Sequence, residues 1–320
     1  MILSLIIPAY NEAIGIKNAV QKIISECENQ EMEIECWVID DGSADNTLAE
    51  IIAMAHEDNR IHPLALTRNF GKEAAILAGL EAAQGDAVIV LDADLQHPPS
   101  LIPEMIQCWK KGFFVVEAVK QERGKESLSQ KLFAKIFYGV FDRFGNVNLR
   151  GSSDFKLLDK KVITSLLAMP ERHRFFRGLV SWAAYPTARL PFDVAPRESG
   201  QSGWNTWKLA KYAIDNLTGF SRLPLRLATL IGVSSAALAF VVIIISLIQK
   251  ISGVALGGFT TVNFLIVIFG TAILAVLGII AHYLGYLYEE VKGRPIYLLR
   301  PLGRITKNSN NKENLENNHE

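Results

Sequence analysis

Two long stretches without a charged residue constrain this 320-residue chain more than any other feature. Leu227 to Gln249 runs 23 positions uncharged, and Ile251 to Tyr288 runs 38, interrupted by the glycine-containing stretch 253–258. A helix needs roughly 20 apolar residues to cross the hydrocarbon of a bilayer. Spans are therefore expected near 227–249 and 262–284. Core helices of a soluble protein do not run this long without a charge. Two spans return the chain to the side from which it entered. Arg222 and Arg226 precede the first, Lys292, Arg294, Arg300, Arg304 and Lys307 follow the second, and only Lys250 lies between them. The positive-inside rule then puts both termini and the remainder of the chain in the cytoplasm. His282 and Tyr286 fall near the cytoplasmic end of the second span and are read as interfacial residues rather than an intramembrane site.

The residues ahead of the spans read differently. Met1 to Pro8 is apolar but lacks a basic start and is too short for a leader, so it is expected to be a buried parallel strand. Apolar residues at helical spacing follow over 14–27. A strand is expected at 34–39, a helix at 45–54, a strand at 62–66, a helix at 73–83 and a strand at 87–91. Such alternation predicts a parallel α/β sheet. Ligands in open α/β sheets bind beyond the carboxyl ends of the strands. Polar clusters fall at those ends: Asn11 and Glu12, Asp40 and Asp41, Arg68 and Asn69, Asp92 and Asp94. No G-x-G-x-x-G follows the first strand, which argues against a Rossmann dehydrogenase.

Charge is segregated along the chain. The formal net charge is zero, from 33 basic and 33 acidic residues, which argues against a dedicated nucleic-acid binder. Residues 1–110 carry 6 basic and 18 acidic side chains, residues 111–226 carry 20 and 10, and residues 227–320 carry 7 and 5. An acidic part, a basic part and an oily part imply different partners. Three cysteines, Cys27, Cys36 and Cys108, have no paired spacing and are expected to be reduced thiols of a cytosolic domain.

Asp92-Ala-Asp94-Leu-Gln96 is the sharpest chemical signal. Two carboxylates one residue apart at a strand end can face one Mg²⁺ or Mn²⁺, ions that take oxygen ligands and share them with substrate phosphates. Such an ion neutralises a departing diphosphate. His97 is read as a surface loop residue rather than an additional ligand. Asp40-Asp41-Gly42-Ser43 offers a carboxylate for a base N–H or a ribose hydroxyl, or else an N-cap for the next helix. Arg68-Asn69-Phe70-Gly71-Lys72 leads into a helix and could meet an anion there, although a structural arginine competes with that reading.

Taken in order, Pro8-Ala-Tyr-Asn-Glu12, Asp40-Asp-Gly-Ser43, Arg68-Asn-Phe-Gly-Lys72 and Asp92-Ala-Asp-Leu-Gln-His-Pro-Pro99 resemble the family 2 glycosyltransferases of GT-A fold. Within them they resemble the polyprenyl-phosphate branch, the dolichyl-phosphate mannose synthases and bactoprenol glucosyltransferases. The resemblance continues through Gly151-Ser-Ser-Asp154-Phe, Arg174-Phe-Phe-Arg177-Gly178, Arg197-Glu-Ser-Gly200-Gln-Ser202 and the two-span tail, to about residue 305. It implies an α/β GT-A nucleotide-sugar-binding fold over 1–203, an interfacial amphipathic helix over 204–226, two transmembrane helices within 227–288, and a cytoplasmic segment over 289–320 with a disordered tail.

The resemblance also implies site roles. Pro8, Tyr10, Glu12 and Asp41 would hold the nucleoside. Asp92, Asp94 and Gln96 would hold Mg²⁺ or Mn²⁺ and the diphosphate. Asp154 matches the aspartate proposed as base and is expected to be catalytic with Asp94 and Arg177; Arg177 and Arg197 would lie near phosphates, and Arg68 and Ser202 would join the donor-binding set. One departure is that Gly203-Trp204 follows Ser202 where the family commonly has Lys-Tyr or Lys-Trp. The implied reaction is inverting transfer of a hexose to undecaprenyl or another polyprenyl phosphate at the cytoplasmic face of a bacterial inner membrane. UDP-glucose is the favoured donor, with GDP-mannose or a UDP-amino sugar as alternatives. A phosphate monoester has a second pKa of about 6 and is mostly dianionic at neutral pH. Asp154 is therefore expected to orient a group rather than to remove a proton.

The expected partners are the nucleotide sugar, the polyprenyl phosphate and the lipid bilayer, with no nucleic acid and a homo-oligomer left open. Residues 120–143 combine basic and large apolar residues at helical spacing, which suits either an anionic membrane surface or a helix packed on its own domain; Trp204, Trp207, Lys208, Lys211 and Tyr212 form a second basic-aromatic stretch that suits the membrane interface. A processive polysaccharide synthase would need more spans and a Gln-x-x-Arg-Trp motif, neither of which is present. A non-catalytic membrane scaffold would have no use for Asp92, Asp94 and Gln96.

Overall fold

The computed structural model describes residues 1–120, 151–193, 223–252 and 259–302. The expected basic helix over 120–143, Arg197, Ser202, the Trp204–Tyr212 stretch and the tail from 306 lie outside the described residues, apart from Lys120. The described chain falls into two compact units. The first comprises residues 1–120, 151–193 and 295–302, and the second residues 223–252 and 259–294.

The first unit is a seven-stranded sheet in the order β3-β2-β1-β4-β6-β5-β7. Its strands are β1 (Ile2–Ala9), β2 (Glu33–Asp40), β3 (Ile61–Ala65), β4 (Ala87–Val90), β5 (Val115–Lys120), β6 (Ser152–Asp159) and β7 (Thr187–Phe192). The helices are α1 (Ile16–Cys27), α2 (Thr47–Glu57), α3 (Lys72–Ala82), α4 (Ile102–Lys110), α5 (Lys160–Leu167) and α6 (Phe176–Trp182). The expected alternation is present, with boundaries moved by one to three residues.

β1 is central because it is apolar on both faces, as a doubly covered parallel strand must be. It runs parallel to β2, with Ala9 opposite Asp40, and to β4, with Ile6 opposite Val90. These registers bring the ends of β1, β2 and β4 to one edge. β6 then enters antiparallel beside β4, pairing Val90 with Lys156, and so carries Asp154 past that edge. A core of Leu5, Ile7, Val20, Ile23, Ile89 and Phe155 fills one face of the sheet. Cys27 and Cys36 are unbridged and buried in it, and burial pushes the Cys27 thiol up to about 12, an inert state.

A pairing that the sequence reading does not anticipate closes the β3 edge. Residues 297–300 return to the first unit. Leu299 bridges Leu66 in antiparallel sense, the Thr67 N–H donates to the Leu298 carbonyl at 2.9 Å, and the Arg300 N–H donates to the Ala65 carbonyl at 2.7 Å. The Tyr297 hydroxyl donates to Glu81. This satisfies backbone groups that an open edge would leave unpaired.

The second unit is two long helices, α7 (Leu223–Ile251) and α8 (Phe259–Lys292), packed along each other. Pro224–Ile245 and Phe264–Lys292 are long and apolar enough to cross a membrane, and their most apolar windows are only 6% and 0% buried. Core helices of a soluble protein would be covered. These instead present Leu230, Phe240, Phe264 and Leu274 outward, a large apolar surface of the kind that a membrane or a partner covers.

Candidate active site

The strand-end loops are laced together before any ligand is considered. Asn11 adopts a left-handed conformation (φ 55°), which asparagine tolerates. Its N–H donates to Ser43 Oγ at 2.9 Å, and its Oδ1 accepts from the Ala44 N–H at 2.9 Å. The Glu12 N–H donates to Thr47 Oγ1, while the Glu12 carbonyl accepts from Gly15 and Ile16 at the start of α1. Pro8 is buried within β1 opposite Ile39, and Tyr10, just beyond the strand, is 46% exposed. Ser43 does not cap α2, which begins at Thr47; Asp45 accepts from the Thr47 N–H instead.

Asp41 uses its carboxylate on the chain itself. It is 4% exposed and accepts from the Phe70 N–H at 2.8 Å and the Gly71 N–H at 3.0 Å. Burial raises its pKa, and these two N–H groups oppose the rise. The carboxylate thus fixes the 68–72 loop. Gly42 makes this possible: its φ is +67°, and a Cβ there would lie 2.3 Å from the Arg68 carbonyl carbon. Arg68 is exposed, with its guanidinium 4.7 Å from the Phe70 ring centre.

Behind this loop the charges converge. Lys72, the first residue of α3, places Nζ 2.5 Å from Asp92 Oδ1 and 2.6 Å from Asp154 Oδ2. Arg177, near the start of α6, grips Asp154 from the other side, Nε to Oδ1 at 2.6 Å and Nη2 to Oδ2 at 2.8 Å. Burial alone would raise the Asp154 pKa, but Lys72 and Arg177 outweigh it and hold the carboxyl well below its usual range. Burial opposes the charge on Lys72 too, yet Asp92 and Asp154 raise its pKa. Glu73 accepts from the Phe176 N–H at 2.8 Å and so fastens α3 to α6. Burial, with help from Asp154, pushes the Glu73 carboxyl up to about 7. On the same face of β6, Lys156 is buried against Glu117 and Ser152, and Arg189 reaches Glu117 at 3.4 Å.

His97 corrects the sequence reading. It is not a surface residue: it is 5% exposed and packs against the rings of Phe155 and Phe192. Neither ring nitrogen has a hydrogen-bond partner among the described residues. Nδ1 lies 3.8 Å from Asp92 Oδ2, and one ligand atom each from Asp92, Asp94 and His97 fall within 4.8 Å of one another. Burial lowers its pKa despite Asp92, which keeps the imidazole neutral, the form that binds metals. An orphaned buried nitrogen beside two carboxylates fits a divalent cation. The Gln96 N–H donates to Asp94 Oδ1 at 3.1 Å and steadies that carboxylate.

Sequence reasoning named Asp92, Asp94, Asp154 and Arg177, and the fold brings all four together. It gave Lys72 a role only within the Arg68–Lys72 motif, as a stretch whose cations could meet an anion, and gave none to Glu73 or the Glu117–Lys156 pair. These three carried no local signal, because their partners come from distant strands and helices.

A mostly parallel sheet gathers at its strand ends an acidic cluster able to hold a cation and a pair of cations held by a carboxylate, the layout of a transferase site. The chain belongs to glycosyl transferase family 2, which matches residues 4–165. It is 38% identical to an uncharacterized glycosyltransferase of Synechocystis over 94% of this chain and 95% of that protein. It is 36% identical to a putative glycosyltransferase of Bacillus subtilis, covering 93% and 91% of the two chains. It is 34% identical to the prophage bactoprenol glucosyl transferase homolog of Escherichia coli, covering 94% and 99%. These matches extend beyond the family domain into the apolar helices.

Proposed function

We propose that the protein transfers a hexose, with UDP-glucose as the favoured donor, to a polyprenyl phosphate at the cytoplasmic face of a bacterial inner membrane. The observation that carries this reading is the juxtaposition of Asp92, Asp94 and His97 with the Lys72–Asp154–Arg177 cluster. The name of the Escherichia coli relative, which specifies bactoprenol and glucose, supports the acceptor and the sugar. The runner-up donors are GDP-mannose and a UDP-amino sugar.

In this reaction the bond between the anomeric carbon and the diphosphate oxygen breaks, and the electron pair leaves with the nucleotide. A lone pair of an acceptor phosphate oxygen forms the new bond from the opposite face, which inverts the configuration. The acceptor is a dianion above about pH 6, so no proton has to be removed. Asp92 and Asp94, with His97 and Gln96 beside them, would hold Mg²⁺ or Mn²⁺, which when bound offsets the charge of the leaving diphosphate. Tyr10, Glu12 and the Asp41-braced loop line the edge where the nucleoside would lie. Asp154 orients cations and does not serve as a base.

Residues 297–300 follow α8 and pair beside β3 within the first unit, as expected of a chain that re-enters that unit after the two apolar helices. The basic residues flanking the spans favour the cytoplasm. The test is a panel of radiolabelled nucleotide sugars with undecaprenyl phosphate and Mg²⁺ or Mn²⁺. Label in the lipid extract from one donor is the expected result, and no lipid-linked product from any donor would overturn the reading.

A further inference from the structure

We propose that Lys72 is a catalytic cation that, together with Arg177, binds the phosphate of the acceptor. This rests on the reading above that the second substrate is a lipid phosphate.

Asp154 is at the back of the cluster, with its side chain 6% exposed, whereas those of Lys72 and Arg177 are 38% and 32% exposed. A buried anion fronted by two accessible cations has the layout of an anion receptor. The carboxylate fixes the cations in place, and both cations keep part of their side chains exposed. Asp154 holds Arg177 through two parallel contacts, which sets the plane of the guanidinium. An ammonium has three donors. Lys72 directs two toward Asp92 and Asp154, which leaves one for a ligand.

Asp92 then separates two cation positions. Its Oδ1 faces Lys72 at 2.5 Å, while its Oδ2 faces His97 Nδ1 at 3.8 Å. His97, which with Asp94 would hold a divalent ion, stands at the second oxygen. Lys72 stands at the first and shares Asp154 with Arg177. The reaction needs two anion sites close together, one for the leaving diphosphate and one for the attacking phosphate. A single carboxylate with different cations at its two oxygens supplies that spacing.

Charge also requires the lysine. Asp92, Asp94 and Asp154 face Lys72, Arg177 and a divalent ion, and Lys120 lies within the same field. Each substrate brings about two negative charges. Without Lys72 the site loses one positive charge, and among the described residues Arg177 and Lys120 are left to meet the phosphate that must approach the donor.

The experiment uses the full chain in detergent micelles. Farnesyl phosphate, a short polyprenyl phosphate, is titrated calorimetrically into protein loaded with UDP and Mn²⁺, and farnesol serves as the uncharged control. UDP–Mn²⁺ affinity is measured separately. Lys72→Met is expected to weaken farnesyl phosphate binding roughly 10- to 100-fold, the scale of a lost hydrogen bond to a charged group. UDP–Mn²⁺ affinity should stay within about threefold, and Lys72→Arg should recover most of the loss. Farnesyl phosphate binding by Lys72→Met within about threefold of wild type would overturn the proposal. So would an equal loss of UDP–Mn²⁺ binding in both Lys72→Met and Lys72→Gln, because the lysine would then serve the donor or the fold. A wild-type protein that binds farnesyl phosphate through Lys72 but transfers no sugar would refute the transferase reading while leaving this assignment standing.

Discussion

Arg177 holds Asp154 in a bidentate grip, with Nε 2.6 Å from Oδ1 and Nη2 2.8 Å from Oδ2. A carboxylate held this way, with Lys72 on one of the same oxygens, has little affinity for a proton. Asp154→Asn should therefore lower kcat by less than about a hundredfold, the lower part of the range for removal of a general base. The shape of the pH–rate profile should not change. Disappearance of the limb on which activity rises with pH would restore Asp154 as a base.

His97 makes the metal site more than a pair of carboxylates. His97→Ala should weaken Mn²⁺ binding roughly tenfold or more, since even groups behind metal ligands act on that scale. Paramagnetic resonance of free Mn²⁺ reads this directly, without turnover. The loss should be smaller for Mg²⁺, which has less preference for a nitrogen ligand. Equal Mn²⁺ affinities of variant and wild type would remove His97 from the site.

Glu73 gives the protein a stability that depends on pH. Its folded-state value of about 7 lies above the ordinary 4.5, so the folded chain binds more protons than the unfolded chain between those values. Stability contributed here therefore falls as pH rises from about 4.5 to about 7. Glu73→Gln should flatten that decline in thermal melts recorded across the interval. An unchanged slope would show that the carboxyl is ionised throughout.

Gly42 leaves no room for a side chain. Gly42→Ala would place a methyl group 2.3 Å from the Arg68 carbonyl carbon at a positive φ. A destabilisation of about 1–3 kcal/mol is expected, with weaker UDP binding as the 68–72 loop is displaced from Asp41. Melting and UDP titration of this variant check both effects.

The segment after α8 should matter to the first unit. Arg300→Pro removes the N–H that bonds the Ala65 carbonyl at 2.7 Å, and should cost about 1 kcal/mol and lower the melting temperature. Arg300→Ala keeps that backbone bond and should melt like wild type. Equal melting of both variants would mean that the pairing contributes nothing.

The sequence by itself determined the alternation of strands and helices, because apolar runs with periods near two and near 3.6 follow from local geometry. It determined the two apolar helices, because a lack of charge over that length is a property of composition. It also placed Asp92 and Asp94 at a strand end, since β4 and its loop are contiguous in the chain. Only the tertiary structure decided what lies near Asp154, because β6 enters the sheet antiparallel beside β4, and pairing partners 60 or more residues apart leave no periodic trace. It turned His97 inward between two phenylalanines from β6 and β7, although the residue sits in a polar, proline-containing loop. It set Lys72 between two carboxylates and brought Leu299 back to Leu66. Side-chain and backbone groups far apart in the chain meet only after the sheet has fixed their positions, and that is why the sequence showed where the ligands gather but not which charges share an oxygen.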